Sequence, residues 1–340
     1  MTVPLSSTPT TSTQPKTKIS DYLLGKKLGS GSFGTVWLAS KKGILHQGRP
    51  RICAIKVLNK SRISSSSFST LRREATTMRK LAGKPFVLQL LESFSNSKYA
   101  FMAIELADMG DLGSLMASVG VMTYSQMAKF LVQISTGLHS IHTANFVYRD
   151  LKPGNVLIKA SGEVRLADFG LSKDLGGPNG STRSFCGTAL YVAPEIILRN
   201  SYNYNVDWYS LGIMVHQMYT GTIPYKLKAN DTEDDLFQII VDGKVDVATT
   251  IDRAGRRFIR WLTKKDPTKR PQNIFQLQKH PWVCQIPWND IALGKIQPSF
   301  KMTKEEIIQA RTIKVEADYS HIYEVPDDMV DPYGHLFDDF

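Results

Sequence analysis

From Tyr22 to about Glu105, apolar and polar positions alternate in the manner of strands with one buried face. Ile52–Val57 is one such run, and a glycine-rich turn separates the two before it. A Ser-rich stretch, Ser64–Ser67, interrupts the pattern and predicts a loop; Phe68 to Leu81 then follows a helical period. Val87–Phe94 and Tyr99–Leu106 predict two further strands. Beyond them the period becomes helical: Met127, Phe130, Leu131, Ile134, Leu138 and Ile141 recur on one face, behind a capping box of Thr123 and Gln126. Asp207–Tyr219 predicts a second apolar helix stopped by Gly221, and Val156–Ile158 with Val164–Leu166 predict a small hairpin. No internal repeat is found. The pattern defines an α+β chain with a β-rich lobe carrying one main helix (21–106) and a mainly helical lobe (107–282). A Ser/Thr/Pro-rich N-terminal segment (1–20), expected to be disordered, and a C-terminal tail (283–340) flank these lobes.

Charge adds a polarity to this layout. The net charge is +11, but up to Lys314 there are 42 Lys and Arg against 23 Asp and Glu, and the last 26 residues hold eight acids and no Lys or Arg. A basic body with an acidic tail predicts that the tail folds back on the body. No nucleic-acid recognition module accompanies the basic charge, so a nucleic-acid partner is not expected. No apolar run is long enough to span a membrane and no secretory pattern opens the chain. Cys53, Cys186 and Cys284 show no ligand spacing, so reduced thiols in the cytoplasm or nucleus are expected.

The chemistry lies in an ordered set of motifs. Leu28-Gly29-Ser30-Gly31-Ser32-Phe33-Gly34 sits between two expected strands; glycine there lets backbone N–H groups approach phosphate closely. Lys56 ends Ala54-Ile55-Lys56, and Glu74 is the one acid between Lys56 and Glu92, which makes it the natural ion-pair partner on the following helix. Asp150, Lys152 and Asn155 fall within Tyr148–Asn155, and Asp168-Phe169-Gly170 follows the hairpin. Asp150 suits a base for an attacking hydroxyl, Lys152 offsets charge on a transferred phosphoryl group, and Asn155 with Asp168 offer the hard oxygens that Mg2+ prefers. Six such fixed positions arise by chance on the order of 10⁻⁵ in a chain this long.

In these motifs, and in Ala193-Pro194-Glu195, residues 22–282 resemble the eukaryotic protein kinases. Tyr148 in place of the usual His, the segment Ser184-Phe185-Cys186-Gly187-Thr188 and the sequence Lys295–Phe300 narrow the resemblance to the AGC group of Ser/Thr kinases. The terminal Phe337-Asp338-Asp339-Phe340 is similar to the end of the cyclic-AMP-dependent protein kinase catalytic subunit. The resemblance implies a bilobal kinase fold, ATP and Mg2+ as cofactors, and protein Ser/Thr hydroxyls as acceptors. It implies Val36, Ala54 and Leu157 around adenine, Ile104 as gatekeeper and Glu105–Ala107 as hinge, with Tyr319 or Tyr323 as possible approaches from the tail. Met78, Leu90, Tyr148 and Phe169 would stack as a spine anchored by Asp207, and Glu195 would pair with Arg270. Thr188 would support Asp150 and Lys152.

Ser184 is the implied activation phosphosite, drawing on Arg149 and Lys173, with Thr70 where the group has a helix His; Ser181 and Thr182 are rival sites. Asp111 keeps one acidic position for a basic substrate residue, while Gly154 and Gln238 stand where two further acids are expected, so a weakened basic preference follows. Phe185, Ala189 and Val192 would form an apolar pocket for the residue after the phosphosite. No Ser or Thr follows Ser320, so Asp327, Asp328 or the terminal carboxylate would replace tail phosphates, and Phe337 and Phe340 would insert beside the Phe68–Leu81 helix. An upstream kinase and a regulatory subunit are implied partners. A pseudokinase scaffold is the alternative, and it would require loss of the Lys, Glu, Asp or Asn named above.

Overall fold

The computed structural model describes residues 17–31, 34–46, 49–62, 65–296, 298–314, 319–325 and 331. One antiparallel sheet forms the small lobe from β1 (Tyr22–Gly31), β2 (Gly34–His46), β3 (Arg49–Asn59), β4 (Leu90–Ser95) and β5 (Tyr99–Ile104), in the order β1-β2-β3-β5-β4. Its two faces follow the period of two along β3. Cys53, Ile55 and Val57 bury outward with Tyr22, Leu24 and Phe101. Ala54 turns the other way, beside Leu38 and Leu106. Helix α1 (Ser65–Lys80) packs Phe68, Leu71, Ala75 and Met78 into the core at spacings of three and four.

Two expected boundaries move. The serines expected as a loop instead open α1 from Ser65, because small hydroxyl residues are well placed where a helix begins. Val87, expected in a strand of the small sheet, bridges in parallel to Leu166 of the large lobe instead. There Leu88 N–H donates to Leu166 O at 3.0 Å, and Leu166 N–H to Phe86 O at 2.8 Å. The segment ahead of β4 therefore ties the lobes together.

The large lobe is built on α2 (Leu112–Val119), α3 (Tyr124–His142), α4 (Pro194–Ile197), α5 (Asn205–Thr220), α6 (Glu233–Asp242), α7 (Arg253–Leu262), α8 (Ile274–Gln278) and α9 (Trp288–Ala292). Thr123 and Gln126 close the expected capping box on α3, whose apolar face lies in the core. Helix α5 is buried on almost every side, and Gly221 ends it at φ +76°, a left-handed turn that suits glycine. Short strand pairs β6 (Phe146–Val147) with β9 (Lys173–Asp174) and β7 (Val156–Ile158) with β8 (Val164–Leu166) frame the loop between them.

The described residues nearest each end, from Thr17 and up to Asp331, pack on the small lobe. Ile19 is buried in its outer cluster and Thr17 donates its hydroxyl to Glu92 at 2.9 Å; residues 1–16 lie outside the described set. The tail continues through α10 (Lys304–Arg311) to α11 (Ser320–Tyr323). Arg311 grips Asp108 with two bonds of 2.6 and 3.0 Å. Tyr319 and Ile322 bury against the outer sheet face, and Tyr319 meets Trp37 edge-on at 5.1 Å. Asp331 reaches Lys60 at 2.6 Å, and that lysine side chain is 1% exposed. A buried ammonium demands such a carboxylate. Asp327, Asp328, Phe337 and Phe340 lie outside the described residues.

Candidate active site

The expected site residues converge where the lobes meet. β3 carries Lys56 across from Val36 of β2 and Met102 of β5. α1 brings Glu74 to it, and the ammonium contacts the two carboxylate oxygens at 2.7 and 3.0 Å. Burial acts to lower the Lys56 pKa, but Glu74, with help from Asp168, overrides it and the net shift is upward. Lys56 is therefore cationic and fixed.

The chain between β6 and β7 is shaped by Asp207, fully buried in the first turn of α5. Its carboxylate accepts from Tyr148 N–H at 3.0 Å and Arg149 N–H at 2.8 Å and meets His142 Nε2 at 2.7 Å. This turn holds Arg149 at φ +73°, a conformation that costs energy for a non-glycine residue. Asp150 follows. Its Oδ1 accepts from Thr188 Oγ1 at 2.6 Å, and its Oδ2 lies 2.9 Å from Lys152 and 2.8 Å from Asn155 Nδ2. Lys152 also donates to Thr188 Oγ1 at 2.8 Å. One carboxylate is thus aimed by three side chains.

Asn155 Nδ2 serves both Asp150 O and Asp150 Oδ2, which leaves the amide oxygen as the acceptor available to a cation. Asp168 also has positive φ, +56°. Phe169 is fully buried against Tyr148, ring centres 5.5 Å apart, and Tyr148 donates its hydroxyl to Ala167 O. Met78 joins them in the core, and Leu90 packs against it. Of the expected spine, Tyr148 and Phe169 are in direct ring contact, and Met78 and Leu90 belong to the same apolar cluster. Among the described residues no group of three His, Cys, Asp or Glu side chains forms a metal cage. One amide oxygen and one carboxylate suit Mg2+, which keeps phosphate and water in its shell.

Val36, Ala54 and Ile104 gather on the inner sheet face with Leu38 and Leu106, and Leu157 packs on the large-lobe side. Ile313 of the tail joins the inner cluster. Tyr319 and Tyr323 do not approach this face: their hydroxyls bond Gly25 O and Tyr22 O on the outer side of β1. Glu105 N–H is taken by Gln89 O, and its carboxylate turns back to Lys159 at 2.7 Å and Arg165 at 3.0 Å. Burial favours the neutral acid, but these two cations hold the Glu105 pKa below its ordinary value. A Cβ at Gly29 or Gly31 would meet no neighbour within 4 Å, whereas one at Gly34 would strike Val57 O at 2.2 Å. Gly34 is needed by the fold, and Gly29 and Gly31 leave open room for a ligand. Leu28 and Ser30 lie on β1, and Ala107 follows the hinge; Ser32 and Phe33 are outside the described residues.

Ser184 Oγ stands 3.1 Å from Thr182 Oγ1, which Lys173 Nζ holds at 2.8 Å. Arg149 is directed to Leu171 O and to the hydroxyl of Tyr202. Tyr202, missed in the sequence, donates to Ser184 O at 2.6 Å, so it joins the segment to the catalytic loop. Phe185 is exposed and meets Phe237 of α6 edge-on at 5.8 Å, a second unanticipated residue. Val192 is buried and Ala189 packs on the core. Asp111 caps α2 through Ser114. Gln238 bonds Asp242 on the exposed side of α6. Glu195 and Arg270 form the expected buried pair, with two bonds of 2.6 and 2.8 Å.

A two-lobed fold with these groups between the lobes is the architecture of phosphoryl-transfer enzymes that act on hydroxyls. Residues 22–283 match the protein kinase domain, and the chain belongs to the protein kinase family. Its relatives are Ser/Thr kinases of the AGC group. It is 29% identical to ribosomal protein S6 kinase alpha-6 of Danio rerio over 83% of this chain and 38% of that protein. It is 32% identical to protein kinase 3 of Dictyostelium discoideum, over 86% of this chain and 32% of that protein. Against serine/threonine-protein kinase Sgk1-A of Xenopus laevis the identity is 31%, over 85% of this chain and 66% of that protein. The chain thus spans about two fifths or less of the S6 kinase alpha-6 and protein kinase 3 lengths. Protein kinases in general use ATP and Mg2+ and act on proteins. No helix among the described residues is long and apolar enough to cross a membrane.

Proposed function

We propose that this chain transfers the γ-phosphoryl group of ATP to Ser and Thr hydroxyls of protein substrates. The observation that carries the reading is the Lys56–Glu74 ion pair at 2.7 Å, formed while Phe169 is packed inside. That pair is the one an active kinase needs in place. Lys56 positions the α- and β-phosphates beside Gly29, Gly31 and Gly34, and Val36, Ala54 and Leu157 surround the adenine. Ile104, Glu105 and Ala107 border the base. Asn155 and Asp168 hold Mg2+, which offsets the charge of the phosphates. Asp150, aimed by Thr188 and Lys152, accepts the proton of the substrate hydroxyl, and Lys152 neutralises charge that grows on the moving phosphoryl group.

Substrate choice follows from the rim. Asp111 is the acid retained for an upstream basic residue, with Gly154 offering none, so the basic preference is weak. Phe185, backed by Phe237, with Val192 beneath, favours an apolar residue after the phosphosite. Phosphorylation of Ser184 by an upstream kinase would place about −1.5 to −2 charge beside Lys173 and Arg149 and tighten the segment. Three free thiols fit the cytoplasm or nucleus. The test is ATP/Mg2+ turnover over a degenerate peptide library, with Asp150→Asn beside the parent. We expect labelled Ser/Thr product and a loss of roughly 10²–10⁴ in rate for the variant. Equal turnover by both proteins, or none by either, would overturn the reading.

A further inference from the structure

A second cleft lies in the large lobe, lined by none of the residues placed around the nucleotide, the metal or the substrate hydroxyl. It encloses about 870 Å3 between α6, α7 and the turn leading to Arg270, within the range of small-molecule sites. Tyr209 and Tyr225 are among its lining residues, both buried, with hydroxyls 3.1 Å apart. Two hydroxyls carry two protons, and the bond between them uses one. The other has no acceptor among the described residues. Burial raises both phenols, Tyr209 to about 12, so both remain donors at neutral pH.

The rim is cationic. Lys226, Lys244, Arg260, Lys264, Lys265 and Lys269 line it against three carboxylates, Asp242, Asp246 and Asp266. Asp246 and Asp266 are engaged by Lys226 at 3.0 Å and Lys269 at 3.4 Å, in solvent-exposed pairs. Asp242 accepts from Gln238. Lys244, Arg260 and Lys264 have no ion-pair partner among the described residues. Ile239, Ile240 and Val245 supply apolar wall between these charges, which focuses a positive potential into the cleft. Like charges converging without compensation repel one another, and an anion relieves the repulsion.

We propose that this cleft binds a compact, multiply phosphorylated small molecule, its phosphate oxygens taken by Lys244, Arg260, Lys264 and the spare tyrosine proton. The buried tyrosine pair distinguishes this site from a diffuse basic surface, which has no such residues in its lining. The same turn carries Lys264 O and Lys265 O, which accept from Arg270 at 2.6 and 3.2 Å. A ligand drawn to these lysines therefore stiffens the support of the Glu195–Arg270 pair.

The probe is inositol hexakisphosphate, titrated calorimetrically into the full chain at about 0.15 M salt, with a short single-stranded oligonucleotide of similar charge as the comparison. We expect saturable one-to-one binding with a rise in melting temperature. Lys244→Glu with Arg260→Glu should weaken it about tenfold or more, and Tyr225→Phe should weaken it with the salt dependence unchanged. Arg253→Glu with Arg256→Glu, on α7 outside the cleft, should leave the affinity intact, and all variants should retain the parent's peptide phosphorylation. Absence of binding, equal affinity in every variant, equal affinity for the oligonucleotide, or loss of binding in excess ATP would each overturn the proposal.

Discussion

Replacing Glu195 by Ala tests how the large lobe supports its activation segment. The Glu195 side chain is 5% exposed and that of Arg270 0%. The guanidinium has three further acceptors, Asn205 O at 3.0 Å, Lys264 O at 2.6 Å and Lys265 O at 3.2 Å, and lies 5.0 Å from the centre of the Tyr209 ring. These are dipoles and a quadrupole; none carries a full negative charge. Truncating Glu195 therefore leaves a cation in a low-dielectric interior, a change that costs about 3–5 kcal/mol. That is a large part of the roughly 5–15 kcal/mol that holds a domain folded. Urea unfolding followed by tryptophan fluorescence reads the loss as a fall in midpoint at unchanged slope. The double variant Glu195→Leu with Arg270→Met removes both charges. It should recover part of the loss, short of all of it, because three carbonyls lose a donor at about 1 kcal/mol each. A loss below about 1 kcal/mol in Glu195→Ala, or a double variant less stable than the single, would refute this reasoning.

Two more outcomes follow from the structure. Burial, the leading cause, lowers the pKa values of His139, His216 and His280 below 6.5. The fold favours their neutral forms, so stability present above about pH 6.5 is lost as the pH falls below it; the melting temperature should drop between about pH 7.5 and 5.5, and a flat profile would show that burial does not act on these rings. Tyr319→Ala should cost about 2–4 kcal/mol by emptying the pocket against Trp37 and Gly25, whereas Ile308→Ala, 63% exposed on α10, should stay within about 0.5 kcal/mol. Equal effects of the two would argue that the tail does not dock as described.

The groups readable from sequence share one property: their partners are set by local order. Glu74 could be paired with Lys56 because one helix follows β3 and carries one acid there. Asp150, Asn155 and Asp168 could be grouped because they hold fixed motif positions on either side of one short hairpin, Val156–Ile158 with Val164–Leu166. The two-lobed α+β layout was therefore legible in the sequence, and Lys56, Glu74, Asp150, Asn155 and Asp168 were picked out before their neighbours were visible. What the sequence did not disclose depends on contacts between distant segments. A period of two shows that β1 has two faces, but it does not say which face a tail 300 residues away will cover. The tail tyrosines thus lie behind the sheet, 294 positions from Gly25 and 301 from Tyr22. The same limit hid Tyr202, since an aromatic ahead of α5 has no signature until Ser184 O and Arg149 arrive on its hydroxyl from either side. It hid Phe237 as well, which on its helix looks like ordinary core and also meets Phe185 edge-on. These two residues border Ser184 and Phe185. Local order thus makes single motifs legible, whereas contacts such as Tyr202–Ser184 and Phe237–Phe185 emerge only from long-range packing.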